Sequence, residues 1–586
     1  MQPKYSIELN ILMTMSLLKA HGITNVVISP GGTNVCLVTS LMYDEAFTLY
    51  SCVDERSAAY MACGIAEETG APVALCCTGA TASRNYVPAL TEAFYRKLPI
   101  LVLTTSQYEG KVGHLFPQVT DRWQQMNDIV YYSTHIPVRI NGELDRWHYN
   151  VEINKAILAL SRYGGGPSHI NLATDSSIDF SVESLPQERV IRRFEAGDIM
   201  PTISSKRVAV YVGNHKKWNQ ELTNAVDLFC EKYNAAVLCD NTSGYHGGYR
   251  VEACIIATQV QYQSPLLDID LLIHIGDVSG AYMNLSPKRV WRVNPDGEVR
   301  DTFYTLENVF QMSEEMFFRY YLDASDSFKV LSQSHYAKEL QQETARLRSQ
   351  IPELPFSNAW IAQNTVNKLP KNCEVHFGIL NSLRTWNAFH IDDSIDCFCN
   401  TGGFGIDGCL SSAIGASFVN TDKICFCILG DLAFFYDMNS VGNRHISSNL
   451  RVIMVNNGCG AEFHIPACVT KRAGMDEVFI NRFTAASGHY GVKSLSLIKN
   501  FTEDLGFEYV AIHDKDHYLE YVDKITSEEK RNKPLFVEVF TEAKDDASAL
   551  KEMTTILTST KGAIKELAKS ILGAKNIQKI KNSFDL

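Results

Sequence analysis

Short β-branched, apolar runs recur along this chain at spacings that leave room for one helix between each pair, and this alternation limits the fold more than any other feature. In the first part the runs are Asn25–Ser29, Phe47–Val53, Pro72–Thr78 and Pro99–Thr105. Strand, helix and strand at such spacing predict a parallel sheet covered on both faces. The pattern resumes at Arg207–Asn214, Ala235–Asp240, Asp270–Asp277 and Val290–Gly297. It returns a third time at Asp396–Asn400, Lys423–Leu429, Leu450–Asn456, Tyr509–His513 and Leu535–Phe540. The expected fold class is therefore α/β, with three doubly wound parallel-sheet domains at 1–185, 186–345 and 346–545. The charged stretch Tyr336–Ser349 reads as a solvated linker helix. Residues 546–586 read as a lysine-rich helical tail with Ile564, Leu567, Ile571 and Leu572 on one face. That tail is expected to pack on its own protein, with a lid or a membrane-surface helix as the alternatives.

A chain of 586 residues can hold three or four domains, each with its own core. A net charge of −12 argues against a nucleic-acid partner, because phosphate backbones are held by basic stripes. The first ten residues, MQPKYSIELN, lack a signal or transit pattern. No apolar run of about 18 residues offers a membrane span. The sixteen cysteines fall mostly inside apolar runs, where Cys acts as a small hydrophobe, and a reducing cytoplasm is the expected location. Cys397/Cys399 and Cys425/Cys427 lack the second paired cluster that a zinc site needs.

The strongest chemical signal is Gly430-Asp431-Leu432 at the end of one buried run, followed by a second run that ends in Asn456-Asn457-Gly458. In open parallel sheets ligands bind beyond the carboxyl ends of strands, so both segments are expected to open into one crevice. Magnesium takes oxygen ligands and shares them with phosphates. Asp431 offers a carboxylate, Asn457 an amide oxygen and Cys459 a backbone carbonyl. The N–H groups of Leu432 and Ala433 are expected to point at a diphosphate. Gly276-Asp277 also ends an apolar run, yet no Asn-Asn follows it at matching distance. The paired arrangement at 430–459 is the pattern of thiamine-diphosphate enzymes. These need a carboxylic acid against the cofactor's aminopyrimidine ring, supplied from a strand end of another domain. Glu55 sits at such a strand-to-helix handover; alone, it reads more readily as a first-turn acid complementing the helix dipole, and the paired metal motif turns the reading toward the cofactor.

With these residues in place, Val53–Ala93, NTGGFGIDG (Asn400–Gly408) and GDLAFFYDMN (Gly430–Asn439) closely resemble the thiamine-diphosphate-dependent carboligases of the menaquinone pathway, which make 2-succinyl-5-enolpyruvyl-6-hydroxy-3-cyclohexene-1-carboxylate. More distantly they resemble acetolactate synthase. The similarity runs through residues 1–545 and is specific in the two outer domains. It implies pyrimidine-binding, central and diphosphate-binding domains, with thiamine diphosphate and Mg2+ bound between chains of a homodimer or a dimer of dimers. It also implies that Glu55 faces the pyrimidine, that Thr78 and Asn85 line its pocket, and that Gly403, Phe404 and Ile406 lie along the cofactor. Ile406 would prop the cofactor into its bent form, and Gly430 would sit at the diphosphate. Gln118 in HLFPQVTDR aligns with a polar side chain that reaches the active centre, while His114, His464 and Glu462 lie in segments expected to approach it.

The resemblance breaks where substrates are chosen. The family's Ser-Arg-Ser after Ser-Pro-Gly is here Gly32-Thr33-Asn34, and Gln107 replaces a further arginine. The two arginines that grip the distal carboxylate of 2-oxoglutarate correspond to about Trp386 and Thr401, with Arg384 close enough to compensate in part. Losing a bidentate clamp removes what nothing smaller imitates. The expected reaction is thus decarboxylation of a 2-oxo acid, pyruvate or similar in preference to 2-oxoglutarate, with transfer to an unknown acceptor. A simple decarboxylase and a non-catalytic cofactor-binding relative are the alternatives.

Overall fold

The computed structural model describes residues 4–119, 125–281, 283–323, 335–465, 468–488 and 494–557. The residues 564–572 named above for the tail, and Arg122, lie outside them. The chain divides into two compact units, Met1–Met200 with Asp296–Gln311, and Pro201–Pro295 with Met312–Leu586.

The first unit carries six strands, β1 (Asn25–Ile28), β2 (Thr48–Ser51), β3 (Val73–Cys77), β4 (Ile100–Gln107), β5 (Ser133–Ile136) and β6 (Ser168–Thr174). They form a sheet of order β2-β1-β3-β4-β6-β5 in which every pair is parallel. Alternate strand residues feed two cores, as period-2 geometry requires. Val26, Ile28, Ala74, Cys76, Leu101 and Leu103 pack on one face; Val27, Val73, Leu75, Cys77, Ile100 and Val102 pack on the other. The same unit holds the parallel pair β7 (Arg192–Glu195) and β13 (Leu306–Gln311).

In the second unit β8 (Val208–Val212), β9 (Ala236–Cys239), β10 (Arg250–Glu252), β11 (Leu271–Ile275) and β12 (Val290–Val293) run in the order β10-β9-β8-β11-β12. This is the 3-2-1-4-5 order of doubly wound nucleotide-binding sheets. A third sheet follows, with β14 (Glu374–Phe377), β15 (Asp396–Cys399), β16 (Cys425–Gly430), β17 (Leu450–Asn456), β18 (Glu508–Ile512) and β19 (Leu535–Phe540) in the order β15-β14-β16-β17-β19-β18. Counted within each sheet, the first and third share one topology, 2-1-3-4-6-5. The order reverses between the first and third strands of each, and the crevice outside their carboxyl ends is where such sheets bind ligands.

The helix Tyr336–Ser349 corrects one expectation: it is not a solvated linker. Tyr336, Ala337, Leu340, Thr344 and Leu347 are buried on one face, and Arg348 reaches Glu252 at 2.6 Å. The helix Ala543–Thr554 runs through position 546 without a break, and its Ala549 and Met553 join the core of the third sheet. All sixteen cysteines are free, and all but Cys52, Cys399 and Cys468 are buried, which is the core-filling role expected of them. No helix among the described residues is long and apolar enough to cross a membrane.

Candidate functional site

The end of β16 delivers Asp431. Five buried residues, Cys425 to Leu429, hold the strand in the sheet. Extended Gly430 then starts a helix, Asp431–Asp437, that buries Phe434 and Phe435. In register, Gly430 lies opposite Val455 of β17, so Asp431 emerges level with the Asn456-Asn457 turn. Asp431 is 5% exposed. Burial pushes its carboxyl up to about 7, against the backbone N–H groups of Leu432 and Gly458 that it accepts; the nearby Asp546 carboxyl raises it further. Among the described residues no cationic side chain pairs with it.

Asn457 donates from Nδ2 to Asp546 Oδ2 at 2.8 Å, and its Oδ1 accepts the Cys459 N–H at 3.2 Å. Gly458 holds the turn at φ +73, where a side chain would be strained. The Cys459 thiol is pushed up to about 11 by burial and by the Asp431 and Asp546 carboxylates. Two buried carboxyls, an amide and a thiol thus meet at this turn. A donor set of carboxylate, amide and carbonyl oxygens suits a hard divalent ion. The residues present fit Mg2+.

Around this turn, Ile406 packs against the cores on both faces of the third sheet, which anchors the loop that carries it. Gly403 faces open space, and Phe404 adopts a left-handed φ of +56. Arg384 donates from Nη1 to Glu462 Oε1 at 2.5 Å. Trp386 is fully buried and donates to Asn358 Oδ1 at 3.2 Å. Thr401 is buried. His464 lies 3.5 Å from Glu477.

In the first unit Asp54 caps the helix Glu55–Thr69 by accepting the Ser57 N–H at 2.7 Å, and Gly70 closes it in the left-handed region. Glu55 occupies the first turn, and Asn85 donates to its Oε2 at 3.3 Å. Two residues expected in one pocket are therefore bonded. Thr78 meets Thr33, whose hydroxyl also lies 3.0 Å from Thr105 Oγ1. A side chain at Gly31 would overlap Thr78, so the Ser29–Asn34 loop and Thr78 close on each other at the reversal point of the sheet. His114 and Gln118 lie on an exposed stretch, with Gln118 at φ +56. A cavity of about 280 Å³ is lined by Thr33, Gln107, Lys111, Arg139, Asp175 and neighbouring residues. Lys111 donates to Gln107 there at 3.0 Å.

Three features have no signal in the sequence pattern. Asp546 is one, since its role depends on a partner 89 positions away. The others are Ala80 (φ 42, ψ −103) and Leu380 (φ 67, ψ −116), non-glycine residues in costly conformations that start the helices Thr81–Asn85 and Asn381–Trp386. Such strain gathers at functional sites.

Parallel sheets of paired topology fit a thiamine-diphosphate-dependent enzyme, and the chain belongs to that family. Residues 13–127 match the family described as thiamine pyrophosphate enzyme, N-terminal TPP binding domain. The chain is similar over nearly its whole length to proteins named 2-succinyl-5-enolpyruvyl-6-hydroxy-3-cyclohexene-1-carboxylate synthase. The Bacteroides fragilis protein is 30% identical over 574 residues, covering 94% of this chain and 99% of the relative. That of Phocaeicola vulgatus is 29% identical over 573 residues, covering 94% and 98%; that of Bacteroides thetaiotaomicron is 30% identical over 580 residues, with the same coverage.

Proposed function

We propose that this enzyme decarboxylates a 2-oxo acid and transfers the resulting acyl unit to an acceptor, with Mg2+ as the metal. The observation that carries the reading is the turn at Asp431, Asn457 and Cys459, where oxygen donors collect beyond parallel strand ends around buried, unneutralised carboxyl groups. Thiamine diphosphate, when bound, would supply a thiazolium whose C2 can lose its proton to become a nucleophile and whose ring serves as the electron sink for decarboxylation. Asp431, Asn457 and the Cys459 carbonyl would hold the metal and, through it, the diphosphate. Gly430 leaves room at the strand end. Glu55, oriented by Asn85, would hold a proton against the pyrimidine ring. Ile406, locked between two cores, would set the cofactor's bend. The three-domain division at 185, 345 and 545, and an active site built between chains of a homodimer, are part of the proposal.

For the donor we propose pyruvate or a similarly small 2-oxo acid. Trp386 is sealed in the core and Thr401 is buried, so neither presents a charge to a distal carboxylate. The guanidinium of Arg384, two residues from Trp386, is already paired with Glu462. For the acceptor, the cavity lined by Lys111 and Arg139 suits a molecule with an anionic group. The names of the relatives favour a second reading, in which a succinyl unit is transferred and 2-oxoglutarate is the donor. Purified protein with thiamine diphosphate, Mg2+ and each 2-oxo acid in turn separates them. Carbon dioxide release faster from pyruvate supports the first reading, and release faster from 2-oxoglutarate replaces it with the second. Acetaldehyde as the sole product with every acceptor tried would reduce the activity to plain decarboxylation.

A further inference from the structure

We infer that Asp546 is a positioning residue for the metal site: it selects the orientation of the Asn457 amide and so decides which end of that amide a cation meets. The inference rests on the reading of Asp431 and Asn457 as metal ligands.

Asp546 is 3% exposed and lies in the first turn of the helix Ala543–Thr554. Its Oδ1 accepts the backbone N–H of Asn358 at 2.7 Å. Its Oδ2 accepts the Thr541 hydroxyl at 3.1 Å and Asn457 Nδ2 at 2.8 Å. Three elements converge on this carboxylate: the start of the helix Asn358–Thr365, the end of β19, and the turn after β17. The Thr541 N–H also bonds the Asn456 carbonyl at 3.0 Å, tying the two strand ends together.

An amide side chain is a donor at one end and an acceptor at the other, and the two ends differ little in size. Left to itself, Asn457 could present either end to a ligand. Asp546 already accepts at both oxygens, Oδ1 from the Asn358 N–H and Oδ2 from the Thr541 hydroxyl, so held in place it meets Asn457 as an acceptor and faces Nδ2. Oδ1 is then turned the other way, toward the Cys459 N–H, where it is available to a cation. The two other bonds that Asp546 accepts, from the Asn358 N–H and the Thr541 hydroxyl, hold it too firmly to follow a flipped amide. Groups that orient metal ligands from behind typically change metal affinity 10- to 100-fold when altered.

The test measures Mn2+ binding by electron paramagnetic resonance in the presence of thiamine diphosphate, together with the melting temperature of the metal-free protein. Asp546→Asn keeps size and shape but can turn its own NH2 toward Asn457. We expect Mn2+ to bind about 10- to 100-fold more weakly. The exchanged double variant Asn457→Asp/Asp546→Asn restores a donor-to-acceptor pair, keeps an oxygen ligand at 457 and leaves the total charge unchanged; we expect it to recover most of the affinity. Affinity within twofold of wild type in Asp546→Asn overturns the inference. So does a loss that the exchanged variant fails to recover while its metal-free melting temperature matches wild type, because that outcome makes Asp546 a general structural residue. If wild-type protein itself binds no Mn2+ with the cofactor present, the metal-site reading falls first and takes this inference with it.

Discussion

Arg384 and Glu462 form an ion pair at 2.5 Å, each about a quarter exposed, which ties the helix Asn381–Trp386 to the turn that follows Asn457. The pair turns what would be a carboxylate-binding guanidinium into a neutral couple. Glu462→Gln removes the competing charge and leaves the guanidinium for a ligand. A charge-assisted hydrogen bond is worth about 1.5–3 kcal/mol, so kcat/KM for 2-oxoglutarate relative to pyruvate should rise about tenfold or more. An unchanged ratio in steady-state carbon dioxide release removes this pair from donor selection.

Glu55 and Asn85 share a hydrogen bond at 3.3 Å. If Glu55 holds the proton that activates the cofactor, Glu55→Gln slows exchange of the thiazolium C2 proton by about two to four orders of magnitude, the usual worth of a positioned acid or base. Mn2+ affinity should stay as in wild type, because Asp431 and Asn457 are untouched. Proton-exchange NMR in deuterated buffer measures the first quantity; unaltered exchange takes the role from Glu55.

Much of this was legible because strands that are apolar throughout advertise themselves. Val208–Val212, Cys425–Gly430 and Leu450–Asn456 are buried along nearly their full length and were visible as runs. Two strands with polar groups were not. Glu374–Phe377 is central to the third sheet, yet Glu374 and His376 interrupt its apolar pattern. Ser168–Thr174 is buried throughout, with Asn171 accepting from Thr104 and donating to Ser106. Those partners come from another strand, so the sequence around Asn171 does not reveal them. The helix Tyr336–Ser349 was misjudged because its charges outnumber the few apolar residues that bury it. At the site, Asp431 and Asn457 carry a spacing that can be read. Asp546 matters through hydrogen bonds to Thr541 and to the distant Asn358 and Asn457, and local pattern carries no trace of the last two.

Gly31 is backed against Thr78. Gly31→Ala must push the two segments apart, at a cost of about 1–3 kcal/mol, and should lower the melting temperature of the cofactor-free protein. Thr78→Ser removes the methyl that is met first, so the double variant should regain part of the loss. A Gly31→Ala protein that melts with wild type would show that the loop moves freely.

Glu252 is 7% exposed and is held by Arg348 at 2.6 Å, His390 at 3.0 Å and Arg250 at 3.2 Å. The hydrogen bond that His390 donates to Glu252 raises the His390 pKa above its ordinary value, against partial burial. A histidine raised in the folded state stabilises fully below its unfolded value, about 6.5, and loses that contribution as pH climbs through the folded value. The stability difference between wild type and His390→Gln, from urea unfolding, should therefore be largest below about pH 6.5 and shrink above it. A difference that grows with pH contradicts the assignment. Glu252→Gln removes the charge that faces Arg348, His390 and Arg250 and should cost about 1–3 kcal/mol, since Arg250 keeps Asp393 and Arg348 keeps the Ala388 carbonyl.

The central claim is tested most directly by carbon dioxide release from pyruvate, measured with and without thiamine diphosphate and Mg2+, in wild type and in Glu55→Gln. The account predicts release that requires both additions, exceeds that from 2-oxoglutarate, and falls at least a hundredfold in the variant. Release from neither acid, or release that survives unchanged in Glu55→Gln, would contradict it.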